Sequence, residues 1–565
     1  MPNPNATSVT LSRRRPRRFW GWGYAEAIIT PEEKSRLSLM MGHMGGRLVD
    51  HPVPQESEFA LPTPRVAPPL SLAAMFSTAP LDRLNHSVGK SYADLARMWA
   101  RELPHGVDAV AFPDNEQAIA DILDWAGRHN VAVIPYGGGS SVCGGVEPAV
   151  GASYAGVISL DMERLSNVLE VDRVSRAARI QAGALGPEME AQLKPHGLTL
   201  RHFPQSFEFS TLGGWIATRA GGHYATLLTH IDDLVESTRL LSPRGVSESR
   251  RLPGSGAGPA PDRLVLGSEG TLGIITEAWM RLQDRPRFRA SASVRFADYA
   301  RAAECVRVLA QSALYPTNCR LLDPLETVFS GVGDGSSAIM VLGFESADHP
   351  LGEPMRRALE LVRDHGGEFD AQAVARSMGG EGSAEHRSGA AGAWRDAFLR
   401  MPYWRDPAVG CGMIMDTFET AVTWDKFPAL YEGVRRDVTA AIERATGQEA
   451  FVSCRFTHIY PDGPAPYFTL AAMSGDKPSP RSALAAWREI KAAANAAVID
   501  HGGTITHHHA VGRDHRSGYE REVPGLHRQM LAAAKQVVDP EGILNPGVLL
   551  DPIGRSVGST GSLAG

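Results

Sequence analysis

The sequence predicts an α+β protein of two main parts, and three observations carry that prediction. Three glycine-rich turns, each behind apolar strand-like text, fall within a stretch of about 150 residues, the size of one domain. Downstream, the order strand, helix, strand runs twice and a strand pair follows, the pattern of an antiparallel sheet layered with helices. The chain then goes back to glycine, histidine and proline text in residues 501–552, set apart from the strand–helix pattern before it. At 565 residues the chain exceeds what one hydrophobic core usually supports, which also calls for more than one domain.

Residues 1–101 are mixed in pattern and rich in proline, and "HPVPQESEFALPTPRVAPPL" reads as an extended connector. The opening "RRRPRRFWGWGY" looks like a targeting signal, but polar and acidic "AEAIITPEEKSRL" follows where a leader needs an apolar run. A basic arm with an aromatic anchor packed on the body is the expectation. The cluster Arg13, Arg14, Arg15, Arg17 and Arg18 also suits weak attraction to anionic lipid headgroups.

In 102–286, Ile119, Ile122, Leu123 and Ala126 recur at helical spacing behind Asp114 as N-cap, and the helix should end near Asn130. "VAVIPY" then reads as a buried strand whose carboxyl end runs into a glycine turn, where ligands sit in α–β units. "GVISLDMERLSNVLEVD" and "ARIQAGAL" add strands, and "LGPEMEAQLKPHG" a helix. In 287–500, "ASASVRFADYARAAECVRVLAQSALYPTNCRLLDP" and "AIMVLGFESADHPLGEPMRRALELVRDHGGEFD" give the two strand–helix–strand runs. "FVSCRFTHIYPDGPAPYFTLAAM" is a strand pair around a Pro-Asp-Gly turn, and "RSALAAWREIKAAANAAVIDHGG" a strong helix with Glu489 and Lys491 on its wet side. The small, polar residues 553–565 read as a flexible tail.

Composition narrows the function classes. A net charge of −6 argues against a nucleic-acid binder, which would normally be basic. Five scattered cysteines without a CxxC pair read as reduced, buried thiols of a cytoplasmic protein, neither a disulfide frame nor a zinc site. No apolar run is long enough to cross a bilayer.

The glycine turns are the most informative text. In "PYGGGSSVCGG", consecutive glycines let the backbone point successive N–H groups inward as an anion cradle, with hydroxyls from Ser140 and Ser141. No lysine follows, so it is not a Walker loop, and Val142 stands where the spaced-glycine nicotinamide fingerprint needs glycine. "PQSFEFSTLGGWIATRAGGHYAT" and "LVLGSEGTLGIITEA" likewise offer small residues, hydroxyls and open backbone. Three such segments in order point to a large cofactor with a pyrophosphate and a heterocycle.

"PYGGGSS", "QSFEFST", "TRAG" and "EGTLGII" resemble the FAD-contacting segments of the vanillyl-alcohol-oxidase (PCMH-type) flavoproteins. More narrowly they resemble the alkyldihydroxyacetonephosphate synthase (alkylglycerone-phosphate synthase) family, from "WGWGY" through the triplet His507, His508, His509. The resemblance implies a two-lobed PCMH-type FAD-binding domain over 102–286, a cap (substrate) domain over 287–500 and a C-terminal segment completing the site. It places FAD on Pro135, Tyr136, Gly137, Gly138, Gly139, Ser140 and Ser141. It adds Gln205, Ser206, Phe207, Glu208, Phe209, Ser210 and Thr211, then Thr218, Arg219, Ala220 and Gly221. Glu269, Gly270, Thr271, Leu272, Gly273, Ile274 and Ile275 complete the set. No histidine stands by the first loop, so the FAD is expected to be non-covalent, and nearby Cys143 reads as a buried small residue.

The same resemblance implies the exchange of the acyl group of acyl-dihydroxyacetone phosphate for a fatty alcohol in ether-lipid synthesis, with flavin N5 as a covalent handle and no net redox. Arg405 in "PYWRDPAVGCG" matches the substrate-binding arginine and Arg320 in "NCRLLDP" a second one needed for activity; a guanidinium holds phosphate with paired donors. The competing reading pairs each with a carboxylate close in sequence, Asp323 and Asp406. Tyr467 matches the acid/base tyrosine, and as a base it needs positive charge nearby; the competing reading is a packed strand tyrosine. For the triplet, a strand would put His507 and His509 on one face and His508 on the other. No spaced cysteine or glutamate completes a metal site there, so no metal is assigned, and a proton-and-anion role is favoured.

The close, "DPEGILNPGVLL", resembles instead the FAD-dependent 2-hydroxyacid (D-lactate and glycolate) dehydrogenases, which stand as the alternative. By resemblance the partners are small lipid substrates, with a homodimer in the cytoplasm whose only membrane contact is peripheral.

Overall fold

The computed structural model describes residues 11–378 and 389–551, so the tail at 553–565 lies outside the described residues. The first sheet runs Phe76–Ser77, Ala109–Ala111, Gly156–Asp161, Val131–Tyr136, with its last three strands parallel. Val131–Tyr136 and Gly156–Asp161 are almost wholly buried, as expected where a parallel strand is covered on both faces. The helix Glu116–Arg128 covers them with Ile119, Ile122, Leu123 and Trp125. Its N-cap is Asn115 rather than the expected Asp114: Asn115 Oδ1 accepts from the Ala118 amide at 2.9 Å.

A second, antiparallel sheet forms the other lobe, in the order Val168–Asp172, Ala177–Gln181, Ile274–Arg281, Val235–Ser242, Gly245–Glu248. The two glycine-rich segments after the first loop, with the short helix Leu212–Thr218, lie between and around these lobes.

The third sheet has seven strands, every pair antiparallel: Glu368–Phe369, Phe288–Phe296, Ala338–Ser346, Asn318–Leu322, Phe451–Ile459, Pro464–Met473, Met413–Glu419. Helices Tyr299–Gln311, Gly352–Asp364, Phe427–Thr446 and Pro480–Asp500 supply its core together with strand residues such as Cys454, Phe456, Phe468 and Leu470. Strand alternation sends Arg455, Tyr467 and Thr469 to the opposite face, toward a cleft.

In the helix Pro480–Asp500, Glu489 is exposed and pairs with Arg444, but Lys491 is buried with its Nζ 3.9 Å from Asp416. The expectation that both sit on the wet side fails because residues two apart on a helix point to nearly opposite sides.

The chain's end returns to the first sheet. Val133 donates to the Ile543 carbonyl and accepts from the Asn545 amide, and Ile543 and Leu544 enter that sheet's core. The N-terminal region is shared: Phe76–Ser77 joins the first sheet, while Tyr92 stacks on Trp487 and its hydroxyl donates to the Met413 carbonyl at 3.0 Å. All five cysteines are buried thiols. Among the described residues no helix is long and apolar enough to cross a membrane.

Candidate active site

The three parts meet at a cleft with a cavity volume of about 320 Å³. One wall is the first glycine loop. A Cβ on Gly138 would lie 1.7 Å from the Phe209 carbonyl oxygen, and Gly139 takes φ +64°, so the loop needs glycine at both positions. The amides from Gly137 to Ser141 have no hydrogen-bond partner among the described residues, whereas the carbonyls of Gly137, Gly138 and Ser141 are all engaged. Such a row of unpaired main-chain donors fits a pyrophosphate and leaves no reason for a tightly packed turn.

Of the residues assigned to FAD, Pro135, Tyr136, Gly137, Gly138, Gly139, Ser140 and Ser141 line the cleft. So do Gln205, Ser206, Ser210, Thr211, Thr218, Ala220, Gly221, Glu269, Gly270, Gly273, Ile274 and Ile275. Six do not. Phe207 stacks on Trp215, Glu208 points to solvent, and Phe209 is buried against Trp22 and Tyr24. Arg219 pairs with Asp232 at 2.8 Å, while Thr271 and Leu272 are buried away from the cleft. A contiguous motif cannot put every side chain on one side, which is why its outward half serves packing instead.

Glu269 joins this wall to the C-terminal segment. Its carboxylate accepts from the amides of Val511 and Gly512, both at 2.8 Å, and burial pushes its pKa up to about 7 despite those bonds. Asn545 Nδ2 donates to the Glu269 carbonyl at 2.7 Å, and Cys143 Sγ to the His509 carbonyl at 3.1 Å.

The opposite wall is a row across three neighbouring strands. Glu419, Tyr467 and Arg455 are paired in register, Glu419 with Tyr467 and Tyr467 with Arg455. The Arg455 guanidinium lies 3.9 Å from the centre of the Tyr467 ring and is anchored by the buried Glu326 at 2.5 Å. The Tyr467 hydroxyl donates to Thr417 Oγ1 at 2.9 Å. Burial raises the phenol above its ordinary value, against the lowering pull of Arg455, so the expected charge assistance is present but does not win.

The triplet is not a strand. Residues 506–509 bend around the buried Glu419 carboxylate, which accepts from Thr506 Oγ1 (2.6 Å) and from the amides of His507 (2.6 Å), His508 (3.0 Å) and His509 (2.9 Å). The side chains therefore do not alternate: His508 and His509 line the cleft and flank the Tyr467 ring, at centroid distances of 6.0 and 5.4 Å. His507 is turned behind them, its Nδ1 3.0 Å from His508 Nδ1 and its Nε2 2.7 Å from the Tyr460 hydroxyl. Burial holds all three imidazoles down, His508 and His509 at about 4, so each is neutral near pH 7. Burial works against the Glu419 anion too, but attraction to the three imidazoles once acid protonates them, with the Thr506 hydroxyl bond, brings it well below the usual carboxylate range. Ring nitrogens of His458, His507 and His508 come within 4.8 Å of one another, close enough to hold a metal ion, although His458 Nε2 is engaged with the Gly222 carbonyl at 3.1 Å.

Arg320 and Arg405 both line the cleft, and the two carboxylates close to them in sequence have other partners. Asp323 caps the helix Pro324–Ser330, and Asp406 is held by Arg18 and the Trp22 amide. Arg405 donates to the Lys90 carbonyl at 2.7 Å and its Nε has no partner among the described residues; Arg320 donates to the His223 carbonyl at 3.2 Å. Burial, then the neighbouring Arg455, pushes Arg320 down to about 9. Sequence reasoning missed Glu419, Arg455 and Lys491. The first two follow from strand register, once Tyr467 is taken as the reference.

Residues 107–248 match the profile of an FAD binding domain, and 285–549 that of FAD linked oxidases, C-terminal domain. An alkyldihydroxyacetonephosphate synthase of Dictyostelium discoideum is 32% identical over 494 residues, covering 84% of this chain and 78% of that protein. One from Caenorhabditis elegans is 30% identical, covering 85% of this chain and 82% of its own length. A solved alkyldihydroxyacetonephosphate synthase superposes with a TM-score of 0.76 at 25% identity, over 94% of this chain and 97% of the other.

Proposed function

Because the chain belongs to the alkyldihydroxyacetonephosphate synthase family of FAD-linked oxidases, we propose that it is an FAD-dependent enzyme replacing the acyl group of an acyl-dihydroxyacetone phosphate with a fatty alcohol. One juxtaposition supports this above all: Tyr467, the neutral His508 and His509, and two arginines face the glycine cradle across a single cavity.

When bound, FAD supplies an electron-accepting ring that can hold the substrate carbon during the exchange. The residues around it divide the remaining work. Arg405 and Arg320 bind the phosphate, since guanidinium keeps its charge and offers forked donors. Tyr467 enters with its proton in place, as its raised pKa requires, and donates or recovers a proton at the substrate. Its hydroxyl reaches Thr417 and no histidine, so a proton passes between phenol and imidazole only through the substrate or an intervening water. His508 and His509, uncharged, are free to accept that proton or to hydrogen-bond the departing carboxylate. Phe329, Met401, Trp404 and Met415 give the cavity an apolar side suited to alkyl chains.

Non-covalent attachment of the flavin belongs to the same proposal, supported by a first loop without histidine and a buried Cys143 engaged with a carbonyl. So do the division into 1–101, 102–286 with 501–552, and 287–500, and a cytoplasmic homodimer touching membranes peripherally.

An anaerobic assay without electron acceptor tests the activity. Incorporation of labelled fatty alcohol into an ether, with release of fatty acid, is the expected result. Bleaching of the flavin by lactate or glycolate, with no ether formed, would replace this reading with the 2-hydroxyacid dehydrogenase.

A further inference from the structure

The arginine-rich N-terminal arm is turned inward. Arg14 Nη1 donates to the Gly137 carbonyl at 2.5 Å and its Nη2 to the Gly183 carbonyl at 3.0 Å. Arg17 Nη1 donates to the carbonyls of Gly138 (2.8 Å) and Phe209 (3.0 Å). A few residues on, Arg18 and the Trp22 amide hold Asp406, which adjoins Arg405. The half-buried Lys90 ties the same elements together: its amide donates to the Ser141 carbonyl, its Nζ to the Arg18 carbonyl, and its own carbonyl accepts from Arg405.

The peptide plane makes these bonds informative. In a trans peptide the C=O and the following N–H point in opposite directions. Fixing the Gly137 and Gly138 carbonyls on the arm therefore aims the Gly138 and Gly139 amides the other way, into the cleft. Consecutive glycines would otherwise turn their planes freely and present carbonyl oxygens to an anion. Arg14 is itself paired with the buried carboxylates of Asp161 (3.7 Å) and Glu163 (4.0 Å), so the two guanidinium groups act through their bonds to the carbonyls and not through free charge.

We propose that residues 14–22 form a strap that sets the glycine loop for the FAD pyrophosphate, with Arg14 and Arg17 as positioning residues acting through the loop carbonyls. The inference rests on FAD as cofactor and is independent of which substrate the enzyme takes. It leaves Arg13 and Arg15, the exposed members of the cluster, as the only ones of the five available to a lipid surface.

The test titrates apoprotein with FAD and with riboflavin, which lacks the pyrophosphate, and follows flavin fluorescence. In R14A/R17A the Kd for FAD should rise at least about ten-fold, since several charge-assisted bonds are lost, while the riboflavin Kd stays as in the wild type. R15A, at an exposed residue paired with exposed Glu26, should leave both unchanged. An unaltered FAD Kd in R14A/R17A overturns the proposal, as does an equal loss for FAD and riboflavin, the mark of general damage. Should the double variant not fold, R17M carries the test: methionine keeps an unbranched side chain but has neither donor nor charge for the Gly138 and Phe209 carbonyls, so a rise of about three-fold or more is expected and no change overturns the strap. A wild-type protein that takes up no FAD would instead refute the cofactor.

Discussion

Replacing Glu419 with glutamine changes one atom of a buried carboxylate that gathers the histidine triplet. Its Oε1 accepts from Thr506 Oγ1 and the amides of His508 and His509, and its Oε2 from the His507 amide at 2.6 Å. The amide oxygen of glutamine can keep the first three, but its NH2 group then faces the His507 N–H, donor against donor. The lost bond to a charged acceptor is worth about 1.5–3 kcal/mol, and the buried unpaired donor costs about 1–3 kcal/mol more. Relief from burying a charge offsets part of this, leaving a net of about 2–4 kcal/mol. At about 1.4 kcal/mol per factor of ten, amide exchange in a peptide covering residues 506–510 should quicken about thirty- to a thousand-fold, read by hydrogen–deuterium exchange and mass spectrometry. Turnover should fall with it, because His508 and His509 lose their places beside Tyr467. Exchange within a factor of about three of the wild type would refute the view that this carboxylate organises the site.

Tyr467→Phe should lower kcat by a factor of about a hundred or more while leaving the flavin spectrum and the FAD Kd unchanged, because the hydroxyl bonds Thr417 and not the cradle; full activity would remove the phenol from the chemistry. Acid should destabilise the protein below about pH 6.5. Burial depresses His230, His508 and His509 to about 4, His202 and His515 to about 3, and His223, His458 and His507 well below their usual value. For these groups the unfolded chain binds more protons between its own pKa near 6.5 and the folded values, so stability falls as pH drops through that window. Buried Asp94, Asp323 and Asp406 near 6 and Glu269 and Asp514 near 7 act in the opposite sense, losing stability as pH rises through about 4 to 7, but the eight histidines outnumber these five. Urea denaturation from pH 7.5 to 4.5 should show a falling midpoint; a rising one would mean the carboxyls prevail.

Much of the local structure follows from text alone. Hydrophobic spacing in "AIADILDWAG", the alternation in "FVSCRF" and "YFTLAAM", and the glycine run of "PYGGGSS" each impose a backbone form through interactions within a few residues. Those determinants identified the helix, the hairpin and the cradle, and the family resemblance named Arg320, Arg405 and Tyr467. Errors arose where a short-range rule met a long-range partner. The triplet looked like a strand because alternation was the local option, but three amides and a threonine hydroxyl are drawn to a carboxylate about ninety residues away. Lys491 looked wet because it is charged, yet Asp416 on another element receives it.

The sequence by itself determined the kinds of element, the curled glycine loop and the cofactor class, because these depend on side-chain periodicity, on which residues tolerate a curled backbone and on family resemblance. Only the tertiary structure decided that Glu419, Tyr467 and Arg455 form one row, that Arg18 holds Asp406 while Asp323 caps a helix, and that Arg14 and Arg17 of the basic arm bond the loop carbonyls. Strand register, burial and the pairing of buried charge are properties of residues far apart in the chain, and folding alone brings them together.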